Sequence, residues 1–221
     1  MASSTLTLGY WDIRGLVEPV RTLLAYLELP YESKKVTSFE DWSAEKRAAQ
    51  YNFPNLPYLV DGEKTITENE AIQVHLCLKA NRPDLIGKDS DRVEFIQLRG
   101  VIGDFNSGIT GQCYSNKTHE DVKKGVDTAM GRVAGKLTDL NKILEKRDWL
   151  MGYLTYLDFN LAELVERFSQ MDAEIGTTIT TGHSALLAHS KRVLELPGVK
   201  EYRASDKFQA RPHNGGFAGW H

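Results

Sequence analysis

The chain has 221 residues and a formal net charge of −3, and 41% of its residues are hydrophobic. This length allows one large domain or two small ones, and the apolar share is ordinary for a globular protein. The small net charge provides no electrostatic footprint for nucleic acid or an anionic membrane, no apolar run approaches a bilayer span, and the first residues do not resemble a signal peptide. We therefore expect neither a nucleic-acid partner nor membrane insertion.

Two cysteines, Cys77 and Cys113, lie far apart and outside any CxxC pair or His/Cys cluster. This spacing argues against a disulfide framework and against a structural zinc site. We interpret both as small apolar packing residues on helices. The sequence thus predicts no metal and a reducing, cytoplasmic compartment.

The first part of the chain alternates between strand and helix signals. Residues 6–10 predict a short strand, and apolar residues between 16 and 27 fall on one face of a helix. Pro19 lies in the first turn of that helix, where its missing N–H is tolerated. Residues 31–36 then predict a second strand, and residues 42–50 a short, irregular helix.

A hairpin and a third helix follow. Residues 58–60 and 64–67 flank a turn signal at Asp61-Gly62. Apolar residues at helical spacing then continue from Ile72 until Pro83 ends the pattern. The order βαβ followed by ββα predicts an α/β unit with a mixed sheet and helices packed on it.

The second part shows almost only helical periods. Apolar residues step by four and three between 126 and 144, which is the stripe of a bundle helix. Thr155 and Asp158 form a helix-start signal, in which the threonine caps an exposed N–H and the aspartate reaches back. Leu186 to Leu194 predict another helix. We therefore predict two domains, residues 1–84 with a mixed sheet and residues 91–221 that are all helical.

Two features of the first part lie where a ligand would bind. Tyr10 ends the first strand, and strand ends in an open α/β sheet border the ligand crevice; alternatively, Tyr10 and Trp11 are packing aromatics. In Asn55-Leu56-Pro57 the proline could be cis, which would leave the Leu56 backbone free to pair with another extended peptide. An ordinary trans turn is the alternative.

Two further features offer groups for the ends of such a peptide. Glu68 and Asn69 lie at a strand-to-helix junction, where free N–H groups attract a carboxylate; plain capping is the alternative. Trp42 and Lys46 are four residues apart on one helix face, and both could donate to a carboxylate. A solvated lysine beside a packing tryptophan is the alternative. Together the four features describe a site for a small peptide near a tyrosine hydroxyl.

Two long motifs strongly resemble the mu class of cytosolic glutathione transferases. They are Gly-Tyr-Trp-Asp-Ile-Arg-Gly-Leu at residues 9–16 and Phe-Pro-Asn-Leu-Pro-Tyr-Leu at residues 53–59. The resemblance extends over the chain and implies a thioredoxin-like N-terminal domain followed by an all-helical domain. It also implies an enzyme that joins the glutathione thiolate to electrophilic, mostly hydrophobic small molecules in detoxification. Such an enzyme is a cytoplasmic homodimer that needs no cofactor beyond glutathione as co-substrate.

The resemblance implies roles for single residues. Tyr10 matches the catalytic tyrosine, whose O–H donates to the glutathione sulfur and lowers the thiol pKa. Tyr114 matches a second tyrosine that assists some electrophiles. The other positions that match the glutathione site are Trp11, Trp42, Lys46, Asn55, Leu56, Glu68, Asn69 and Asp104, the last of which reaches the glutathione of the neighbouring subunit. The positions that match the second-substrate pocket are Leu16, Gly103, Ser107 and Tyr114. Phe53 matches the aromatic key at the dimer interface.

The chain also departs from the family pattern. Glu68-Asn69 replaces the usual Gln-Ser, and a glutamate binds an ammonium but repels the γ-glutamyl carboxylate. Phe39 stands roughly where an arginine would help to hold the glycine carboxylate. The second-substrate positions are small or polar where bulkier residues are common: Gly103, Ser107 and Thr110. We interpret the chain as a divergent mu-like enzyme; a non-catalytic ligand-binding protein on the same fold and a glutathione-dependent isomerase are the alternatives.

Overall fold

A four-stranded mixed sheet forms the first part of the chain in the computed structural model, which describes residues 5–48 and 52–221. The strands are β1 (Leu6–Trp11), β2 (Tyr31–Val36), β3 (Tyr58–Asp61) and β4 (Lys64–Thr67). Across the sheet they follow the order β2-β1-β3-β4. The β1–β2 pair is parallel, and the β1–β3 and β3–β4 pairs are antiparallel. The predicted mixed sheet is therefore confirmed, and β1 is one of its two inner strands.

Three helices accompany the sheet: α1 (Glu18–Tyr26), α2 (Phe39–Ala48) and α3 (Asn69–Lys79). A 3-10 turn at Gly15–Val17 precedes α1, so Leu16 lies before the helix and not within it. The start of α2 is earlier than predicted because the Ser38 hydroxyl accepts the Asp41 N–H at 3.0 Å, which is a helix N-cap. Of the predicted end of this helix, residues 49 and 50 lie outside the described residues.

Five helices form the second part: α4 (Arg92–Ser115), α5 (His119–Leu144), α6 (Tyr156–Ile175), α7 (Ser184–Leu194) and α8 (Val199–Arg203). The Asp158 carboxylate accepts the Thr155 N–H at 2.8 Å, as the helix-start signal predicted. No clear apolar helical period marks α4 in the sequence, because the helix contains four glycines and glycine weakens a helical signal.

The apolar residues gather into two cores. One lies between the sheet and the helices α1 and α3, and the other, larger one is formed mainly by the second part of the chain. Leu23 of α1 belongs to the larger core and so joins the two parts. Cys77 and Cys113 are buried on helices without a disulfide, as packing residues are expected to be. The domain bounds 1–84 and 91–221 stay a prediction.

No helix in the described ranges combines the length and the hydrophobicity that crossing a membrane requires.

Candidate active site

The Tyr10 hydroxyl lies at the end of β1, against the loop that follows the strand. Tyr10 is only 6% exposed, and its oxygen accepts the Leu16 N–H at 3.1 Å. Gly15 has φ +46°, and a Cβ there would lie 2.8 Å from the Tyr10 oxygen. Only glycine therefore allows the loop to approach the hydroxyl in this conformation.

Burial determines the protonation state of this hydroxyl. It raises the pKa of Tyr10 above the ordinary value of 10.0, and the Leu16 N–H opposes that effect only in part. Tyr10 is thus neutral near pH 7 and keeps its proton. Because its oxygen is an acceptor for Leu16, the O–H remains a donor for a ligand.

A cavity of about 210 Å³ lies at Tyr10 between the two parts of the chain. Tyr10, Leu16 and Leu56 line it from the sheet side. Thr110 and Tyr114 line it from α4. The structure thus brings together five of the predicted site residues around one cavity: Tyr10, Trp11, Leu16, Leu56 and Tyr114.

A larger cavity of about 640 Å³ adjoins the first and shares Trp11 and Tyr114 with it. Phe39 lies on one side, 64% exposed, with its ring 5.1 Å from that of Trp11. Phe217 of the C-terminal segment lies on the other side, 5.2 Å from the Tyr114 ring. Aromatic walls suit an apolar ligand. Sequence reasoning missed Phe217, because nothing local indicates where a glycine-rich tail will pack.

Tyr114 is held by the C-terminal segment. Its oxygen accepts the Gly215 N–H at 2.9 Å. A tyrosine oxygen that is already an acceptor can donate its own proton to a substrate oxygen. This arrangement suits the assisting role that was predicted for Tyr114.

The predicted cis peptide bond is present at Leu56-Pro57. The Leu56 N–H is not paired by the sheet, but it donates to Asn55 Oδ1 at 2.9 Å. Asn55 in turn donates from Nδ2 to Glu68 Oε1 at 3.0 Å. A peptide carbonyl that accepts from the Leu56 N–H therefore competes with the Asn55 side chain for that donor, which the sequence did not predict.

Glu68 and Asn69 lie at the start of α3. Glu68 has φ 70°, an uncommon conformation for a residue other than glycine. Asn69 donates from Nδ2 to the Leu16 carbonyl at 2.8 Å. Its side chain thus ties α3 to the loop beside Tyr10, while the N–H groups of the first helical turn still point toward any carboxylate at this end.

Trp42 and Lys46 lie on α2, as predicted. Trp42 is half-buried, and its ring stacks on Tyr58 with centroids 6.4 Å apart. Lys46 is exposed and forms no ion pair with a residue in the described part of the chain. Its charge is therefore available to a ligand carboxylate, but its role stays a prediction.

The four remaining predicted residues, on α4 and before β3, also lie outside the lining of the Tyr10 cavity. Asp104 is exposed on α4 and pairs with Lys136 at 2.7 Å. Gly103 lines a third cavity of about 370 Å³ between α3, α4 and α6, and Ser107 lines none of the three. Gly103 lies about 10 Å along α4 from Thr110, because a helix rises 1.5 Å per residue. The second-substrate roles of Gly103 and Ser107 stay predictions. Phe53 is 75% exposed, as a residue that inserts into a partner would be in a single chain.

Sequence reasoning also missed Arg14, which anchors the loop after Tyr10. Its buried guanidinium contacts the carboxylates of Glu163 and Glu166 on α6, each at 2.6 Å. Its backbone N–H donates to the Pro212 carbonyl at 2.7 Å. The loop that carries Gly15 and Leu16 is therefore fixed to both α6 and the C-terminal segment.

Arg167, also on α6, was missed as well. It is 4% exposed and lines both the cavity at Tyr10 and the third cavity. The only sequence signal is a charged residue within the apolar run that follows Thr155.

Within residues 5–48 and 52–221, no group of three or more His, Cys, Asp and Glu side chains is arranged to hold a metal ion.

The fold combines a mixed sheet, a cis-proline directly before the inner strand β3, and a buried tyrosine at the end of the inner strand β1. With the all-helical second part, these features define a thioredoxin-like domain joined to a helical domain. Residues 6–77 match the family model for the glutathione S-transferase N-terminal domain, and residues 103–206 match that for the C-terminal domain. The chain belongs to the glutathione S-transferase family.

Its relatives include mu-class members. The chain is 31% identical to human glutathione S-transferase Mu 3, over 98% of this chain and 96% of that protein. It is 32% identical to the class-mu 26 kDa isozyme of Schistosoma japonicum, over 94% and 92%. Among solved structures, the glutathione S-transferase Blo t 8 superposes with a TM-score of 0.77 at 29% identity, over 96% of this chain and 98% of that one. The resemblance and the fold inferred from the sequence are confirmed.

Proposed function

We propose that this protein conjugates the thiolate of glutathione to electrophilic, mostly hydrophobic small molecules, as a homodimer in the cytoplasm. The observation that carries the proposal is the Tyr10 hydroxyl, which is neutral, fixed by Leu16 and lines a cavity next to one with aromatic walls.

The hydroxyl has the right strength for the task. A free thiol is mostly protonated near pH 7, and a shift of about two units, ~2.7 kcal/mol, makes most of it thiolate. A hydrogen bond to a charged group contributes ~1.5–3 kcal/mol. The N–H of Leu16 polarises the Tyr10 oxygen and strengthens the bond that its O–H donates.

The reaction then proceeds at the sulfur. The thiolate electron pair attacks an electrophilic carbon, a C–S bond forms, and a leaving group departs with its bonding electrons or a ring opens to an alkoxide that takes up a proton. Holding both reactants in adjoining cavities makes this step effectively unimolecular. In this proposal Tyr114, which lines both cavities, donates to a developing oxyanion.

The loop that precedes β3 provides the glutathione site in this proposal. An extended tripeptide pairs with the Leu56 backbone there, as extended peptides do in other recognition modes. At one end the α3 N-terminus attracts the γ-glutamyl carboxylate, and Glu68 attracts the ammonium. At the other end Trp42 and Lys46 donate to the glycine carboxylate. Asn55 and Trp11 border the peptide between them.

The homodimer completes the site. In this proposal Phe53 inserts into the partner subunit, and Asp104 exchanges Lys136 for the γ-glutamyl ammonium of the neighbouring subunit's glutathione. The exposed aromatic ring of Phe53 supports this arrangement, since such a ring gains stability when a partner covers it.

Conjugation of 1-chloro-2,4-dinitrobenzene tests the proposal, with glutathione binding measured in parallel by calorimetry. We expect glutathione-dependent release of chloride and formation of the thioether. Binding without turnover would instead identify a non-catalytic binding protein on this fold. Absence of both would overturn the proposed function.

A further inference from the structure

Arg167 is a buried guanidinium on the helical wall of the Tyr10 cavity. It projects from α6, is 4% exposed, and lines this cavity together with Thr110 and Tyr114 of α4. The proposed glutathione contacts lie on the opposite, sheet side. Arg167 therefore lies on the side from which a second substrate would be held.

The described residues give Arg167 only neutral partners. Its Nη2 donates to Asn106 Oδ1 at 2.6 Å, and its Nη1 donates to Thr110 Oγ1 at 3.3 Å. The buried Nε has no hydrogen-bond partner. A guanidinium has five N–H donors, so three remain unused. No described carboxylate lies within ion-pair distance, although buried arginines are ordinarily paired.

The nearby carboxylates are paired with other cations. Glu163 on the same helix attracts Arg167 at a distance, but its carboxylate is held by Arg14, and Glu166 is held by Arg14 and Arg203. Arg167 thus has no ion pair of its own among the described residues and adds positive charge to the wall of the cavity. The same positive charges act on the neighbouring His213, whose pKa is lowered to about 2 by burial and by the charges of Arg14 and Arg167.

Burial lowers the pKa of Arg167 itself. A guanidinium starts above 12, however, and stays protonated in proteins. A charged group in a low-dielectric cavity favours an anionic ligand strongly, and the planar guanidinium matches a carboxylate. Neutral electrophiles leave its unused donors unsatisfied.

We propose that Arg167 binds an anionic oxygen of the second substrate, so that the enzyme favours electrophiles that carry a carboxylate. This inference rests on the proposed function and names the substrate class of the same pocket. The carboxylates of glutathione itself are assigned to α2 and α3, which leaves Arg167 for the second substrate.

A matched pair of electrophiles tests this on the wild-type enzyme. The probes are 4-chloro-3-nitrobenzoate and its methyl ester, which share the reacting carbon but differ in charge and in activation, because the para ester withdraws more electron density than the carboxylate. Each kcat/KM is therefore divided by the rate constant of the uncatalysed reaction with glutathione, and we expect this ratio to be about tenfold higher for the acid, or ~1.4 kcal/mol. As an independent check, 3-nitrobenzoate should compete with 1-chloro-2,4-dinitrobenzene at about tenfold lower concentration than 3-nitrobenzamide. Equal or stronger inhibition by the amide would overturn the proposal without any variant.

Substitution of Arg167 assigns the preference to this side chain. Arg167→Gln should lower kcat/KM for the acid about tenfold and leave the ester within a factor of about three, whereas Arg167→Lys should keep part of the preference. Arg132→Gln, an exposed change on α5, removes the same charge from a residue that lines neither of the two cavities at Tyr10 and should keep the full preference.

Two results would contradict the inference while leaving the proposed function intact. If acid and ester lost activity equally and the pKa of bound glutathione rose, Arg167 would act on the thiolate and not on the substrate. If Arg167→Gln melted like the wild type and kept the acid preference, another group would recognise the carboxylate. If the wild type neither bound glutathione nor turned over 1-chloro-2,4-dinitrobenzene, by contrast, the proposed function itself would be wrong.

Discussion

Replacing Tyr10 with phenylalanine removes one hydroxyl and keeps the ring that packs beneath the cavity. The bond that this hydroxyl donates to the sulfur is worth ~1.5–3 kcal/mol, so we expect the pKa of bound glutathione to rise by about one to two units. The wild-type thiol has the lower pKa. Below both pKa values the two enzymes therefore differ by the full factor of about ten to one hundred, and above both the difference disappears.

Titration of the thiolate absorbance in the enzyme–glutathione complex measures this shift, and kcat/KM between pH 6 and 9 follows it. The variant also leaves the Leu16 N–H without an acceptor, which costs about 1–3 kcal/mol of stability, so thermal melting must show that the protein is folded. Tyr153→Phe is the matched control: its hydroxyl donates to Asp91 at 3.0 Å, away from the site. A Tyr10→Phe enzyme with an unchanged thiol pKa, or with the same loss at every pH, would refute the role of Tyr10.

Three further changes test other parts of the structure. Gly15→Ala puts a methyl group 2.8 Å from the Tyr10 oxygen at φ +46°. We expect this variant to lower kcat/KM at least about tenfold and to destabilise the fold by ~1 kcal/mol or more. A folded variant with the wild-type rate would contradict the close approach of the loop to Tyr10. Phe53→Ser should shift sedimentation from a dimer toward a monomer, and an unchanged dimer would exclude Phe53 as the interface key. Burial and the neighbouring Glu163 raise the pKa of Glu18 to about 7, so the folded state binds a proton that the unfolded state has lost, and the free energy of unfolding should fall as pH rises from about 4.5 to 7. In urea titrations Glu18→Gln should flatten this dependence of stability on pH, and an equally steep dependence would contradict the raised pKa.

Local sequence signals predicted most of the elements. The strands β1 and β2, the hairpin and α5 follow from apolar periodicity and turn residues, which depend only on near neighbours in the chain. The start of α6 at Thr155 was predicted for the same reason. By contrast, the four glycines of α4 leave no periodic signal, and only packing against α5 and α6 shows that this segment is a single helix.

The glutathione half of the site was largely readable in the sequence, because Tyr10 and the Leu56-Pro57 turn belong to contiguous motifs. The opposite wall was readable only in part. Thr110 and Tyr114 were expected there, and both line the cavity at Tyr10. Gly103 and Ser107 were also expected at the second substrate but do not line that cavity, because whether a residue of α4 reaches Tyr10 depends on its position along the packed helix.

The sequence by itself thus determined the family, the mixed sheet and the tyrosine that we propose as the donor to the sulfur. Only the tertiary structure decided that the C-terminal segment contacts Tyr114, that Arg14 anchors the Tyr10 loop to α6, and that Arg167 is buried without an ion pair to any described residue. The reason is physical: each of these contacts joins segments far apart in the chain, and burial of a charge is a property of the packed fold and not of the residues beside it.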